Sequence, residues 1–194
     1  MLKLTYVVVL SLMLSAFHCT SFGQVKTERE RDIKAREVPS QAREWMDDSY
    51  EGVRRIFWVE ESSDQGVSYE AKLKHQKQWH SVEFNMEGVI QDIEVELDQN
   101  EIDEELLAQI ESSLTRAFDR YRILKIQRQW TGSPEDLEDA IDEGEVDEVT
   151  TRYEIELVGT KEGTSELREV LLDHKGKLLS SRPISSGIHT NLNY

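Results

Sequence analysis

His75, His80, His174 and His189 are the side chains best suited to metal ligation or proton transfer near neutral pH. Their spacings contain no His-Glu-x-x-His or comparable ligand pattern, so a zinc enzyme is not expected. The stretch Leu171-Leu172-Asp173-His174-Lys175-Gly176-Lys177-Leu178-Leu179 sets an acid, a histidine, two lysines and a glycine between apolar runs. Such a set could hold a metal, cradle a phosphate or supply half of a catalytic pair, or it could only turn the chain. No Gly-x-Ser-x-Gly elbow is present, and Gly159 to Thr164 lacks the spacing and the lysine of a phosphate loop. Two carboxylates could hydrolyse a glycoside, but such pairs are defined by their separation in space, and 39 acids offer too many candidates. The segment Ser133 to Thr150 holds nine carboxylates and no Lys or Arg. Clustered oxygens suit calcium, with Asp139, Asp142, Glu143, Glu145 and Asp147 as candidate ligands. With Gly144 as the central glycine of an EF-hand, however, Ile141 and Thr150 fall at ligand positions. The segment therefore reads first as a solvated loop or short helix held open by self-repulsion. No other cofactor is implied.

Composition narrows the choice. A net charge of −16 opposes nucleic acid and anionic membrane, because counterion release needs clustered Lys and Arg. Residues 1–23 begin Met-Leu-Lys, continue as an apolar run from Leu4 to Phe17 and end in Ser21-Phe22-Gly23, the pattern of a secretory signal. Cleavage near Gly23 would leave an exported chain, periplasmic or secreted. The apolar run is shorter than the roughly 20 residues that span a bilayer, and no later run is long enough for an integral membrane segment. The single cysteine, Cys19, would leave with the signal, so neither disulfides nor thiolate metal sites are expected.

The elements that must position any site fall into two similar sets. Residues 24–37 form a charged leader, polar throughout and unable to bury a core by itself, read as a leader or frayed helix. Pro39 suits a first helical turn, and Ala42, Trp45, Met46 and Tyr50 recur at helical spacing. Strands follow over Val53 to Glu60, Val67 to Leu73, Val82 to Phe84 and Ile93 to Leu97, with turns at Gly66 and Gly88. A second helix starts near Ile102, with a stripe of Leu106, Leu107, Ile110, Leu114, Phe118 and Tyr121. Strands return at Ile123 to Trp130, Tyr153 to Val158, Leu167 to Leu172 and Lys177 to Pro183. Register supports a duplication. Tyr50-x-x-Val53-x-x-Ile56 matches Phe118-x-x-Tyr121-x-x-Leu124 at an offset of 68, Tyr69 to Leu73 matches Tyr153 to Leu157 at 84, and Val82 to Ile90 matches Val170 to Leu178 at 88. The fold class is therefore α+β, two tandem α-β-β-β-β repeats over 38–100 and 101–184. The acidic segment 133–150 is an insertion in the second, and 185–194 is a tail. In this register Asp173-His174-Lys175-Gly176 falls on Asn85-Met86-Glu87-Gly88. Only Asx and Gly are shared, which fits a hairpin turn.

Strand parity sorts the side chains by face. If Ile56, Trp58, Tyr69, Ala71, Val82 and Phe84 face the helix, Phe57, Val59 and Trp79 face away. In the second set Leu124, Ile126 and Trp130 point inward, and Leu167 and Leu171 outward. Phe57, Val59, Trp79 and Leu171 are thus candidate partner contacts on an open sheet face, although packing between the copies would also bury some of them.

Val38-Pro39-x-x-Ala42-x-x-x-Met46-x-x-x-Tyr50-x-x-Val53-x-x-Ile56-x-Trp58, with Tyr69-Glu70-Ala71-x-Leu73 and Asn85-x-x-Gly88, resembles the PepSY-like, beta-lactamase-inhibitor-like domains of secreted Bacteroidetes proteins. The second set, Leu106 to Pro183, resembles them more loosely. The resemblance implies tandem helix-plus-antiparallel-sheet units, side by side with helices on one face, and a non-catalytic role in the envelope. Inhibitory relatives use the open sheet face. The expectation is an exported binding or inhibitor-like protein contacting a protein or peptide there. A calcium-dependent role for 133–150 is the alternative, and a paired-carboxylate hydrolase the third.

Overall fold

The computed structural model describes residues 29–63 and 66–184. The expected signal segment, the start of the leader and the tail 185–194 lie outside the described residues. Among them, nine strands form one antiparallel sheet in chain order. They are β1 (Arg29–Ile33), β2 (Ile56–Ser63), β3 (Gly66–His75), β4 (Gln78–Asn85), β5 (Ile90–Glu96), β6 (Arg120–Thr131), β7 (Thr150–Lys161), β8 (Thr164–Asp173) and β9 (Leu178–Pro183). Helices α1 (Ser40–Ser49) and α2 (Glu104–Ala117) each precede four strands, and α3 (Pro134–Asp142) sits between β6 and β7. The expected α-β-β-β-β order thus occurs twice. The two copies join edge to edge through β5 and β6, where Ile93 to Glu96 pair with Gln127 to Trp130.

Alternation places one apolar side chain in two toward the helices. Ala71, Leu73, Val82, Phe84, Ile93, Ile155, Leu157, Val170 and Leu172 are fully buried there, beneath Ala42 and Met46 of α1, Ile110 and Leu114 of α2 and Leu137 of α3. These residues form one continuous core across both copies.

Helices α1 and α2 are each seated on the sheet by the same kind of turn. Asn85 Oδ1 accepts from the Glu87 and Val89 amides at 3.0 and 2.9 Å, and Asp173 Oδ1 accepts from the Lys175 and Lys177 amides at 2.9 Å each. Those bonds hold the Asp173 carboxyl below its usual range, the Lys177 amide most of all. Gly88 and Gly176 close the turns with φ of 88° and 75°. They also lie directly under a helix. A Cβ on Gly88 would stand 2.7 Å from Pro39 Cβ and 3.0 Å from the Ala42 nitrogen, and one on Gly176 would stand 3.0 Å from the Ile110 nitrogen. Ser113 adds a buried hydrogen bond from α2 to the Gly176 carbonyl at 2.7 Å. "LLDHKGKLL" is therefore a helix seat, and His174 is exposed.

Four expectations need correction. The leader carries a strand, because Arg29 and Arg31 alternate with Glu30 and Asp32 and suit a two-residue period. Arg31 grips Glu60 of β2 through Nη2 at 3.0 Å and Nε at 3.3 Å. The stripe of α2 stops before Phe118, which ends the helix with extended backbone, and Tyr121 belongs to β6. Leu124 does not point inward: a register shift between Ile123 and Lys125 leaves it 44% exposed, and Ile123 takes the place that corresponds to Ile56. Finally, Ser133 to Asp142 is not held open. Ser133 caps α3 through the Asp136 amide, Pro134 starts it, and Leu137, Ala140 and Ile141 are buried.

The seat predicts a graded series. Gly163→Ala at a turn with open space meets only the positive-φ strain, about 1 kcal/mol. Gly88→Ala and Gly176→Ala must also displace a helix and should cost about 2–4 kcal/mol each. Urea denaturation checks the order, and equal losses at the three positions would contradict the seat.

Candidate functional site

The open face of the sheet is charged rather than apolar. Strand alternation sets Glu70 opposite Glu83, and Glu83 opposite Asp92. Like charges facing each other across strands destabilise a sheet unless they are satisfied. Lys72 stands 2.8 Å from Glu70 and 3.9 Å from Glu30; burial works to lower the Lys72 pKa, but Glu70, Glu30 and Glu61 outweigh it and raise the pKa. From β6, Gln127 donates to Glu94 at 2.8 Å and Gln129 donates to Asp92 at 3.3 Å. Two groups of three carboxylates therefore gather within 4.8 Å, Glu30–Glu61–Glu70 and Glu83–Asp92–Glu94. Neither includes Asp139, Asp142, Glu143, Glu145 or Asp147, which are exposed along α3 and the loop after it.

The four candidate partner contacts separate. Val59 is 5% exposed, between Asp32 of β1 and Glu70 of β3 in the ladder, and presents almost no surface. Leu171 lies on β8, six strands from β2, beside Glu154 and Ser180. Phe57 and Trp79 do come together, lining a groove of about 650 Å3 at one end of the sheet with Arg54, Arg55 and Lys74. The Arg55 guanidinium lies 5.9 Å from the Phe57 ring centre. Glu51, Gly52, Val53, His75 and Gln76 complete the groove.

On the helix side of the β3–β4 hairpin, whose His75 and Gln76 turn edges that groove, lies a second cleft, about 590 Å3, which the sequence did not foretell. His75 and Gln76 line both. The first copy contributes His80 and Val95, and the second contributes Arg128, Trp130, Tyr153 and the end of α3. Tyr50 seats its hydroxyl 3.0 Å from His80 Nδ1, and the Tyr50, His75 and His80 rings stack edge to face at 5.3 to 5.7 Å. Burial first, then His75 and Arg128, push the His80 pKa down to about 4, so His80 is neutral at pH 7. Burial also raises the Tyr50 pKa, keeping its phenol protonated. The hairpin itself is strained: Gln76 and Lys77 have φ of 48° and 77°, without the glycine such a turn favours. In the second copy the same turn is Glu162-Gly163. Ladder register places Gly159 where His75 stands and Arg168 where His80 stands, so this histidine pair belongs to one copy only. That divergence was the available sequence signal.

No family model and no curated protein matches the chain. Solved structures do. A DUF2874 family protein from Bacteroides ovatus ATCC 8483 is 14% identical, with a TM-score of 0.52 over 75% of this chain and 87% of that one. A structure described as "putative periplasmic proteins" from Bacteroides eggerthii DSM 20697 is 14% identical, with a TM-score of 0.53 over 79% and 94%. A DUF2874 family protein from Bacteroides uniformis ATCC 8492 is 11% identical, with a TM-score of 0.52 over 75% and 89%. These likenesses show the α+β fold. Among the described residues, no helix is long and apolar enough to cross a membrane.

The depressed His80 pKa has a stability consequence. Between about 4 and the ordinary 6.5 the unfolded chain binds a proton that the folded chain does not. The contribution is therefore complete above pH 6.5 and lost as pH falls toward 4, up to about 3 kcal/mol. Urea denaturation of the wild type and His80→Gln should diverge in slope over this window, and parallel pH profiles would contradict it.

Proposed function

We propose that this is an exported, non-catalytic binding protein of the PepSY-like, inhibitor-like kind, which receives an acidic segment of a protein or peptide in the groove of Phe57 and Trp79. The observation that carries the reading is charge contrast: Arg54, Arg55 and Lys74 converge with two aromatic rings in a chain of net charge −16. Aromatic and arginine side chains in a concave patch are the usual anchors of protein interfaces. The cations would steer an acidic partner toward this end of the sheet and set its register, while the surrounding acids repel the same partner elsewhere. Structural likeness to a Bacteroides protein described as periplasmic supports the envelope setting, as does the signal-like pattern of residues 1–23.

Selection from a displayed library of random peptides tests the reading. Acidic peptides bearing a bulky apolar residue should be enriched over basic ones, and should be recovered uncleaved. Trp79→Ala should weaken the selected peptides by about tenfold or more, and Arg54→Ala with Arg55→Ala should flatten the salt dependence of binding. Binding that is indifferent to all three substitutions would overturn the groove as the site.

A further inference from the structure

We infer that the cleft at the junction of the two copies is a separate binding site for a small organic monocarboxylate, held by the Arg128 guanidinium against an apolar wall of Trp130, Tyr153 and Val146. Arg128 is the anomalous residue. Its guanidinium stacks on the Trp130 ring at 4.5 Å, and among the described residues it makes no ion pair and no hydrogen bond. Its Nε is wholly shielded and without a hydrogen-bond partner, as is His75 Nε2. Some arginines of the sheet are paired, Arg31 with Glu60, Arg168 with Glu166 and Ser181, and Arg182 with Glu169; what sets Arg128 apart among the described residues is the shielded, unpartnered Nε. A shielded guanidinium nitrogen without an acceptor, stacked on an indole at the edge of a cleft, is a group that a bound acceptor would satisfy.

The surroundings define the ligand. A guanidinium presents a planar fork of donors that matches a carboxylate. His80 is fixed by Tyr50 and neutral at pH 7, so it adds polarity without adding charge. Asp142, Glu143 and the carbonyl end of α3 put negative potential on the part of the lining that comes from α3. That potential disfavours phosphates and dicarboxylates and leaves room for one negative charge with a neutral body. About 590 Å3 lies within the range of small-molecule pockets. The lining comes from both copies, and the corresponding region of a single copy would lack either the histidine pair or Arg128. Glu60 occupies the matching position in the first copy. The site is thus a product of duplication followed by divergence.

The probes are 3-phenylpropionate and phenethylamine, which share a ring and two-carbon spacer and differ in charge. Calorimetry at pH 7 and low salt, with the Trp130 indole followed by NMR, should show 3-phenylpropionate binding at least about tenfold tighter than the amine. Arg128→Gln should weaken it by a similar factor while circular dichroism stays unchanged. Should that variant misfold, Arg128→Lys keeps the charge, loses the planar fork and should still weaken binding several-fold. Asp142→Asn with Glu143→Gln, both exposed, should tighten binding by a few-fold. The inference is overturned if 3-phenylpropionate produces no shift at Trp130, if Arg128→Gln or its lysine substitute binds it as the wild type does, or if phenethylamine binds better. Loss of this site would leave the Phe57–Trp79 groove untouched, so the two readings fail separately.

Discussion

Four residue pairs between β5 and β6 turn two small units into one protein. Each unit alone would leave an unpaired sheet edge and a helix covering only part of a core. Joined, they share a single apolar interior, and the edges retreat to β1 and β9. The join is double-sided. Toward the helices, Ile93 faces Trp130 and Val95 faces Arg128; on the open side, Gln127 and Gln129 donate to Glu94 and Asp92. Amide donors in β6 make a row of carboxylates in β5 tolerable, so the acidic open face depends on the same ladder as the core.

The helix seats show which parts of the two α-β-β-β-β units are alike. Asn85 with Gly88 and Asp173 with Gly176 repeat the same bonds and backbone angles, because only that geometry lets a helix backbone approach the turn. Elsewhere the copies diverged where side chains could change without moving the backbone. Tyr50, His75 and His80 in one copy correspond to Phe118, Gly159 and Arg168 in the other. In the second copy the Phe118 ring closes over Gly159, where a Cβ would stand 2.7 Å away. The first copy keeps two rings with polar atoms there, and the junction brings Arg128 and Trp130 against them.

Much of this was legible in the sequence because hydrophobic period and repeat register are local signals. The two α-β-β-β-β sets, the Asx-x-x-Gly turns and the facing of Phe57 and Trp79 all follow from spacing. What was not legible depended on contacts across the sheet. The bulge at Ile123 moved Leu124 out of the core. The charge alternation of Arg29 to Asp32 became a strand by pairing along β2, where Arg31 meets Glu60. For α3 the signal was present in Ser133-Pro134 with Asp136, and in Leu137, Ala140 and Ile141, but nine carboxylates masked it. The Arg128 cleft had no motif of its own, only the divergence of His75 and His80 from Gly159 and Arg168, since its lining is drawn from five strands and a helix end.

Because fold and cleft both rest on the union of the copies, native-state hydrogen exchange is the most direct measurement. The amides hydrogen-bonded between β5 and β6 should open only with the whole molecule, with the same free energy as those in the middle of β3–β4 and β7–β8. If the β5–β6 amides exchange through a separate, cheaper opening while both halves stay protected, the copies are two docked units and the account of a single sheet and core is wrong.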